Sequence, residues 1–346
     1  MTENPNPVLA QLGWRPFFSE QVTPEQRGSC QPVRVMSVHR GRVTVSGEGI
    51  EGSISSKLPH GDGAEKRPTV GDWLLIDRET RDLVHILNRA SLFKRPAPGD
   101  QRRVQLIAAN VDTLFIVTSC DQDFNVARLE RYLVLAGEVG VRAVVVLTKA
   151  DLSSDADTLV EAARALQADL QVELVNGRDP SSADKLARFC GFGQTVALVG
   201  SSGVGKSTLV NTLTGSTNIE TQPVREDDGK GRHTTTVRQM HRLTPGLDGG
   251  GWLVDTPGMR ELQMSEVAAG VTEVFDDVTA ITLDCKFANC THADEPECAI
   301  RAAMADGQLD PARVERWRKL AEEDAVNSGA AALRRSRADK GRDRRR

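Results

Sequence analysis

The 346-residue chain is poor in aromatics: one Tyr, four Trp and nine Phe, 4% in all. Few rings are therefore on hand for a stacking platform on single-stranded nucleic acid. No run approaches the roughly 18 apolar residues of a membrane helix, which argues against a helical membrane class and against a membrane partner. The N-terminus, MTENPNPVLAQLGW, lacks the basic start and apolar stretch of a secretory signal. Six Cys are too few for a disulfide scaffold, and three of them crowd into 285–298. A soluble cytoplasmic protein with reduced thiols is expected. There is no internal repeat, and the net charge is only −4. That charge is uneven: residues 331–346 carry eight Lys/Arg against two Asp, so +6, and the rest of the chain carries −10. Such a tail suits phosphate contacts or plain solvation.

The texture changes along the chain. Residues 1–30 hold Pro5, Pro7 and Pro16 and no sustained period, as in a tethered arm whose Trp14, Phe17 and Phe18 could pack on a neighbour. Residues 31–95 read as four or five short strands rich in β-branched residues and punctuated by glycine. An OB-fold or an SH3-like barrel fits that pattern equally. From residue 110, apolar strands alternate with helical spacing: strands at 111–119, 142–148, 171–175 and 195–200, and helices at 124–139, 155–167 and 205–215. TVRQMHRL and WLVD supply two more strands. This predicts a parallel, doubly wound α/β sheet. After about residue 264 the chain is helical and short-looped, with an amphipathic helix over 311–326 that starts at Pro311 behind Asp310.

Gly200-Ser201-Ser202-Gly203-Val204-Gly205-Lys206-Ser207-Thr208 follows a strand and opens a helix, the context of a P-loop. Backbone N–H groups and the helix N-terminus converge there on phosphates. Lys206 reaches the β/γ oxygens and the Ser207 hydroxyl ligates Mg²⁺. Asp255-Thr-Pro-Gly258 ends the strand Trp252-Leu-Val, where P-loop enzymes hold Mg²⁺ through an acid, and Gly258 offers its N–H to the γ-phosphate.

Thr148-Lys149-Ala150-Asp151 ends a buried strand and is similar to the N/T-K-x-D guanine motif. The Asp151 carboxylate can accept from guanine N1–H and the 2-amino group, while adenine offers neither and leaves the carboxylate unpaired. The Lys149 stem packs over the base face. The motif order is unusual: TKAD, P-loop, a threonine-rich segment, then DTPG. A parallel sheet presents all of these loops at one edge in any chain order, so a circular permutation keeps the pocket. Cys285-x4-Cys290-x-His292-x5-Cys298 offers three thiolates and an imidazole, a closed tetrahedral set for a structural zinc. Cys30, Cys120 and Cys190 read as core residues.

The chain thereby resembles the RsgA (YjeQ) family of circularly permuted bacterial GTPases, which act in late assembly of the small ribosomal subunit. The resemblance covers about 30–325. It rests on AANVDTLFIV at 108–117, DFNVARLERYL at 123–133, the motif order, GRHTTT at 231–236, DTPGMREL at 255–262 and the cysteine cluster. It implies a multidomain chain: arm 1–30, OB-fold 31–95, circularly permuted GTPase domain 105–264, zinc-binding helical module 265–328 and basic tail 329–346. It also implies GTP hydrolysis to GDP with Mg²⁺, stimulation by rRNA, one structural zinc held by the same Cys-Cys-His-Cys set, and the small subunit as partner, with other assembly factors as further candidates and a monomeric state. Thr235 of Thr234–Thr236 is placed on Mg²⁺ and the γ-phosphate, in a loop ordered by that phosphate. Met259 stands where Ras-like enzymes place a water-orienting Gln, so intrinsic hydrolysis is expected to be slow. His233 is the candidate for positioning water, with a solvated loop histidine as the plainer alternative, and Arg232 a charge stabiliser or RNA contact.

Two positions depart from the family pattern. Thr148 puts a hydroxyl where an asparagine amide usually ties base to P-loop, and Asn176-Gly177 replaces a Ser-Ala base-edge loop, with the Gly177 N–H still able to meet guanine O6. A P-loop kinase is the rival enzyme class, but it calls for an acceptor pocket and lid, neither of which is legible. A translation or signalling GTPase with a protein partner is the other rival, and dependence of turnover on RNA separates it from the first reading.

Overall fold

The computed structural model describes residues 6–58, 67–97, 100–179, 181–216, 238–243, 250–255 and 268–325. The chain divides into two compact units, Met1–Phe124 with Val141–Glu161 and Gln171–Leu262, and Asn125–Gly140 with Ala162–Leu170 and Gln263–Arg346. Among the described residues no helix is long and apolar enough to cross a membrane.

The first unit begins with three short helices, α1 (Pro7–Gln11), α2 (Pro16–Ser19) and α3 (Pro24–Ser29). Each carries proline in its first turn, where the preset φ favours the helix and the missing N–H costs nothing. Asn6 caps α1, and Thr23 with Gln26 closes a capping box on α3. Together they turn Trp14 and Phe18 onto Trp73, at ring-centroid distances of 4.7 and 5.8 Å. Phe17 stays exposed.

Strands β1 (Cys30–His39), β2 (Arg42–Gly47), β3 (Ile50–Ser55), β4 (Trp73–Asp77) and β5 (Leu83–Ile86) pair antiparallel in the order β3-β2-β1-β4-β5. Alternate residues Val33, Val35, Val43, Val45, Leu74 and Ile76 close one core. A separate antiparallel ribbon follows, β6 (Leu92–Ala97) with β7 (Asp100–Ala109), an element the sequence pattern does not predict.

The α/β part contains β8 (Thr113–Ser119), β9 (Arg142–Thr148), β10 (Gln171–Leu174), β11 (Thr195–Val199), β12 (Arg238–Arg242) and β13 (Trp252–Asp255), with α5 (Ala156–Arg164) following β9 and α6 (Ser181–Ala187) following β10. The order is β10-β9-β8-β11-β13-β12, and the first five strands are mutually parallel. The sheet is therefore mixed, not wholly parallel as the sequence pattern suggests, because β12 runs antiparallel to both β13 and β1. The connection between β12 and β13 is shorter than the dozen or more residues that a parallel crossover needs. Through β12 the sheet runs on into β1, β2 and β3. Phe115, Val117, Val144, Val146, Val196 and Leu253 share one core with Leu209 and Leu213 of α7 (Lys206–Thr214).

Arg34 lies inside this unit, 2% exposed. Its guanidinium donates to Leu12 O, to Asn110 O at 3.3 Å and to Thr195 Oγ1 at 2.7 Å, and it lies over the Trp73 ring. It thus ties the N-terminal helices, the β1–β5 strands and β11 together. Burial lowers its pKa to about 10, with Asp112 opposing.

The second unit holds α4 (Val126–Val139), α8 (Ala268–Val274), α9 (Asp276–Thr282), α10 (Ala299–Ala305) and a helix over 311–325. Asn125 caps α4, and Gly140 ends it in the left-handed conformation. α8 approaches α4 so closely that a Cβ on Gly270 would lie 2.0 Å from Val134 O. Glu130 of α4 is fully buried and accepts from Arg316 Nε at 2.6 Å and Arg313 at 3.3 Å. Burial raises the Glu130 pKa against the pull of both arginines. Arg313 also binds Asp277 and covers the Phe275 ring.

Arg34→Met would leave several buried acceptors without a donor. It is expected to lower the unfolding free energy by about 2–4 kcal/mol, read by urea unfolding followed through tryptophan fluorescence. An unchanged midpoint would mean that those acceptors find other donors.

Candidate nucleotide and metal sites

The parallel pairing sets the geometry of the candidate nucleotide site. Ser119 is level with Thr148 and Leu174 with Leu147. Ile116 pairs with Val199, the residue before Gly200. Val254 pairs with Ala197, so Asp255 ends β13 close to the level at which the Gly200 loop begins. The segments that follow β8, β9, β10, β11 and β13 therefore leave from one edge of the sheet, whatever their order in the chain.

Gly200, Gly203 and Gly205 all have positive φ, at +140°, +83° and +92°. At Gly200 a Cβ would lie 2.1 Å from Val117 O, so only glycine lets the loop turn against β8. Among the described residues no side chain caps α7, whose first turn carries Lys206, Ser207 and Thr208, so its leading N–H groups can meet an anion at the loop. Lys206 is 8% exposed, and its Nζ donates across the loop to Gly200 O at 2.7 Å and to Ser201 O. The Ser201, Ser202 and Val204 positions complete the turn between β11 and α7.

Thr148 is buried at the end of β9. Its hydroxyl is 2.5 Å from Val204 O and 3.2 Å from Thr118 O. Its single proton goes to the nearer acceptor, which joins the TKAD loop directly to the P-loop. The amide-to-hydroxyl replacement therefore keeps a tie between the two loops. Lys149 follows in the left-handed conformation, φ 57°, and Ala150–Leu152 forms one 3-10 turn that carries exposed Asp151. Lys149 Nζ donates to Asp121 Oδ2 at 2.8 Å. Asn176 accepts from Arg178 N and, through its carbonyl, from Ser182 Oγ, while Gly177 O accepts from Thr212 Oγ1 at 2.7 Å. These bonds hold the 176–177 loop beside α7. Asp255 is half-buried. His241 on the neighbouring strand is lowered in pKa by burial, with the Asp255 carboxylate opposing.

Thr235, His233, Gly258, Met259, Arg232, Thr234 and Thr236 lie outside the described residues, as does the tail 331–346. The sequence reading does not single out Asp121. The signal that could have found it is an acid just beyond a buried strand, on the edge where TKAD emerges.

The second unit brings Cys285, Cys290, His292 and Cys298 together, with one ligand atom from each within 4.8 Å of all the others. His292 Nδ1 is 3.4 Å from Cys285 Sγ and 3.6 Å from Cys298 Sγ. A tetrahedral zinc with bonds of about 2.3 Å to sulfur and 2.0 Å to nitrogen would set those atoms about 3.5 Å apart, so the donor set fits. All four thiol-and-imidazole positions of such a site would be filled by protein, which suits a structural ion. Glu295 braces the loop, accepting from Thr291 N, Thr291 Oγ1 and Ala293 N. Cys30, Cys120 and Cys190 are buried, free and remote from this cluster in sequence.

Comparison with known proteins gives consistent matches. The family described as RsgA GTPase matches over residues 86–265. "Small ribosomal subunit biogenesis GTPase RsgA" of Mesorhizobium japonicum is 48% identical over 328 residues, covering 93% of this chain and 92% of its own length. "Small ribosomal subunit biogenesis GTPase RsgA 2" of Vibrio parahaemolyticus is 45% identical, covering 97% and 90%. Among solved structures, YjeQ from Thermotoga maritima matches with a TM-score of 0.58 at 25% identity, covering 84% of this chain and 97% of its own. YloQ, described as a circularly permuted GTPase, matches in fold with a TM-score of 0.56 at 24% identity, covering 85% and 94%.

Cys285→Ser should bring zinc below one ion per chain by metal analysis and lower the unfolding temperature of the helical unit, with nucleotide binding retained. Full zinc content in the variant would remove Cys285 from the ligand set.

Proposed function

The chain belongs to the RsgA GTPase family and is a GTP hydrolase, and from that premise we propose that it docks on the small ribosomal subunit, hydrolyses GTP to GDP during late assembly and is stimulated by rRNA. The names of its relatives support the subunit as partner. The observation that carries the reading is the tie from Thr148 Oγ1 to Val204 O, which makes one site of a base-reading loop and a phosphate loop.

In this reading Asp151 accepts from the guanine N1–H and 2-amino groups, and Lys149 and Ala150 cover the base. Asn176 and Gly177 line its O6 edge. The backbone of Gly200–Thr208 and the Lys206 ammonium hold the phosphates. Ser207, Thr235 and Asp255 would hold Mg²⁺, which would supply neutralising charge to the phosphates. Gly258 meets the γ-phosphate, and His233 positions water. β1–β5 is read as an OB-fold barrel offering an RNA-binding face, 265–328 as a helical module stiffened by one structural zinc, and 329–346 as a basic tail that adds phosphate contacts. The protein works in the cytoplasm as a monomer, with other assembly factors as further partners.

Two measurements test this. GTP turnover should rise at least about tenfold when purified small subunits are added and stay at its slow intrinsic rate with large subunits. Equal turnover in both would leave a GTPase with another partner. Asp151→Asn should weaken GTP and favour XTP, because an amide can donate to the xanthine 2-oxo group where the carboxylate only accepts. An unchanged preference for GTP would take Asp151 out of the base site.

A further inference from the structure

Asp121 lies two residues past the end of β8, on the same edge as TKAD. The two strand ends are already joined, since Cys120 N donates to Thr148 O at 2.9 Å. The carboxylate oxygens of Asp121 divide their partners. Oδ1 accepts from Ser119 Oγ at 2.7 Å and from Asp123 N at 2.9 Å, which fixes the plane of the group. Oδ2 is then aimed at Lys149, whose Nζ donates to it at 2.8 Å. Hydrogen bonds from Lys149, Ser119 and the Asp123 amide hold the Asp121 pKa near 2, so the acceptor is a carboxylate. Lys149 itself has a left-handed backbone, φ 57°, a conformation uncommon for non-glycine residues, so its side chain leaves the strand end in a fixed direction.

We propose that Asp121 is the positioning residue for the guanine-binding lysine: it holds the Lys149 side chain extended before the nucleotide arrives, so that its stem is already in place to cover the base. This rests on the reading of TKAD as the base site. The physical argument is pre-ordering. A free lysine loses considerable rotamer entropy when it is pinned against a ligand, and a partner that pins it beforehand removes that cost from binding. The Lys149 and Asp121 side chains are 34% and 42% exposed, so the ion pair itself contributes little to fold stability. Its consequence falls on nucleotide affinity.

The test is a double-mutant cycle on the full chain with Asp121→Asn, Lys149→Met and the pair. Asparagine keeps an oxygen for Ser119 and Asp123 while removing the charge, and methionine keeps most of the stem without the ammonium. The readouts are Kd for GDP and GTP, the split between KM and kcat, and inhibition by inorganic tripolyphosphate, which has phosphates but no base. Asp121→Asn is expected to raise Kd for both nucleotides about three- to fivefold, with the loss on KM more than on kcat. Tripolyphosphate inhibition should shift by less than about twofold, and in the Lys149→Met background the Asp121 change should add almost nothing. Equal losses in both backgrounds, a parallel loss of tripolyphosphate binding, or no loss in the wild-type background would each overturn the proposal. Asp151→Asn separates the two levels. If it shifts preference to XTP while the Asp121 cycle shows no coupling, only the positioning role fails. If it shifts nothing, the base-site reading fails and the positioning role with it.

Discussion

Parallel pairing of β10, β9, β8, β11 and β13 is the constraint on which the candidate nucleotide site depends. Strands that run the same way must finish at the same edge, so the loop after each one has nowhere else to emerge. Gly200–Lys206 and Thr148–Asp151 are far apart in the chain, yet they leave the same edge from the two strands that flank β8. Chain order is free under this constraint. The Thr148–Asp151 loop can precede the Gly200–Lys206 loop, as it does here, because the sheet sorts loops by strand direction and not by sequence position.

What the sheet brings near, short polar ties make specific. The Thr148 hydroxyl has one proton and gives it to Val204 O. Arg34 does the same at larger scale, distributing its donors over Leu12, Asn110 and Thr195. In both cases a buried donor ties together acceptors from distant segments, and its removal leaves those acceptors without that donor. Glu130 plays the corresponding part in the helical unit, where two arginines offset the cost of a carboxylate with no exposure.

The α/β strands were legible because their central runs are unambiguous: LFIV and AVVVL are continuous apolar runs, as in strands covered on both faces. The P-loop and the cysteine cluster were legible because their chemistry demands particular residue types at short spacing. Other features were not. The three N-terminal helices are too short for any period to show, and proline, usually a breaker, starts each one. β7 opens with Asp100-Gln-Arg-Arg, which reads as loop, and its pairing with β6 is a tertiary fact. The direction of β12 depends on the length of its connection, which apolar patterning does not report. Asp121 was hidden for a similar reason: its meaning comes from a lysine 28 positions away, just past the end of the neighbouring strand.

The junction of β1 with β12 has a kinetic side. Ser37 pairs with Gln239, so an edge of β1 made early in synthesis waits for a partner some two hundred positions later. Meanwhile β8, β9 and β10 are complete before β11 is made; β11 then adds to the open edge of β8, and β13 adds later to β11. Such long-range closure raises the contact order and makes the final step of folding slow compared with hairpin or helix formation. Until it happens, β1 and β8 each present an unpaired strand edge, the feature through which partly folded chains most readily associate. A nascent chain of this topology therefore has a built-in window of vulnerability that closes only when its last strands have left the ribosome.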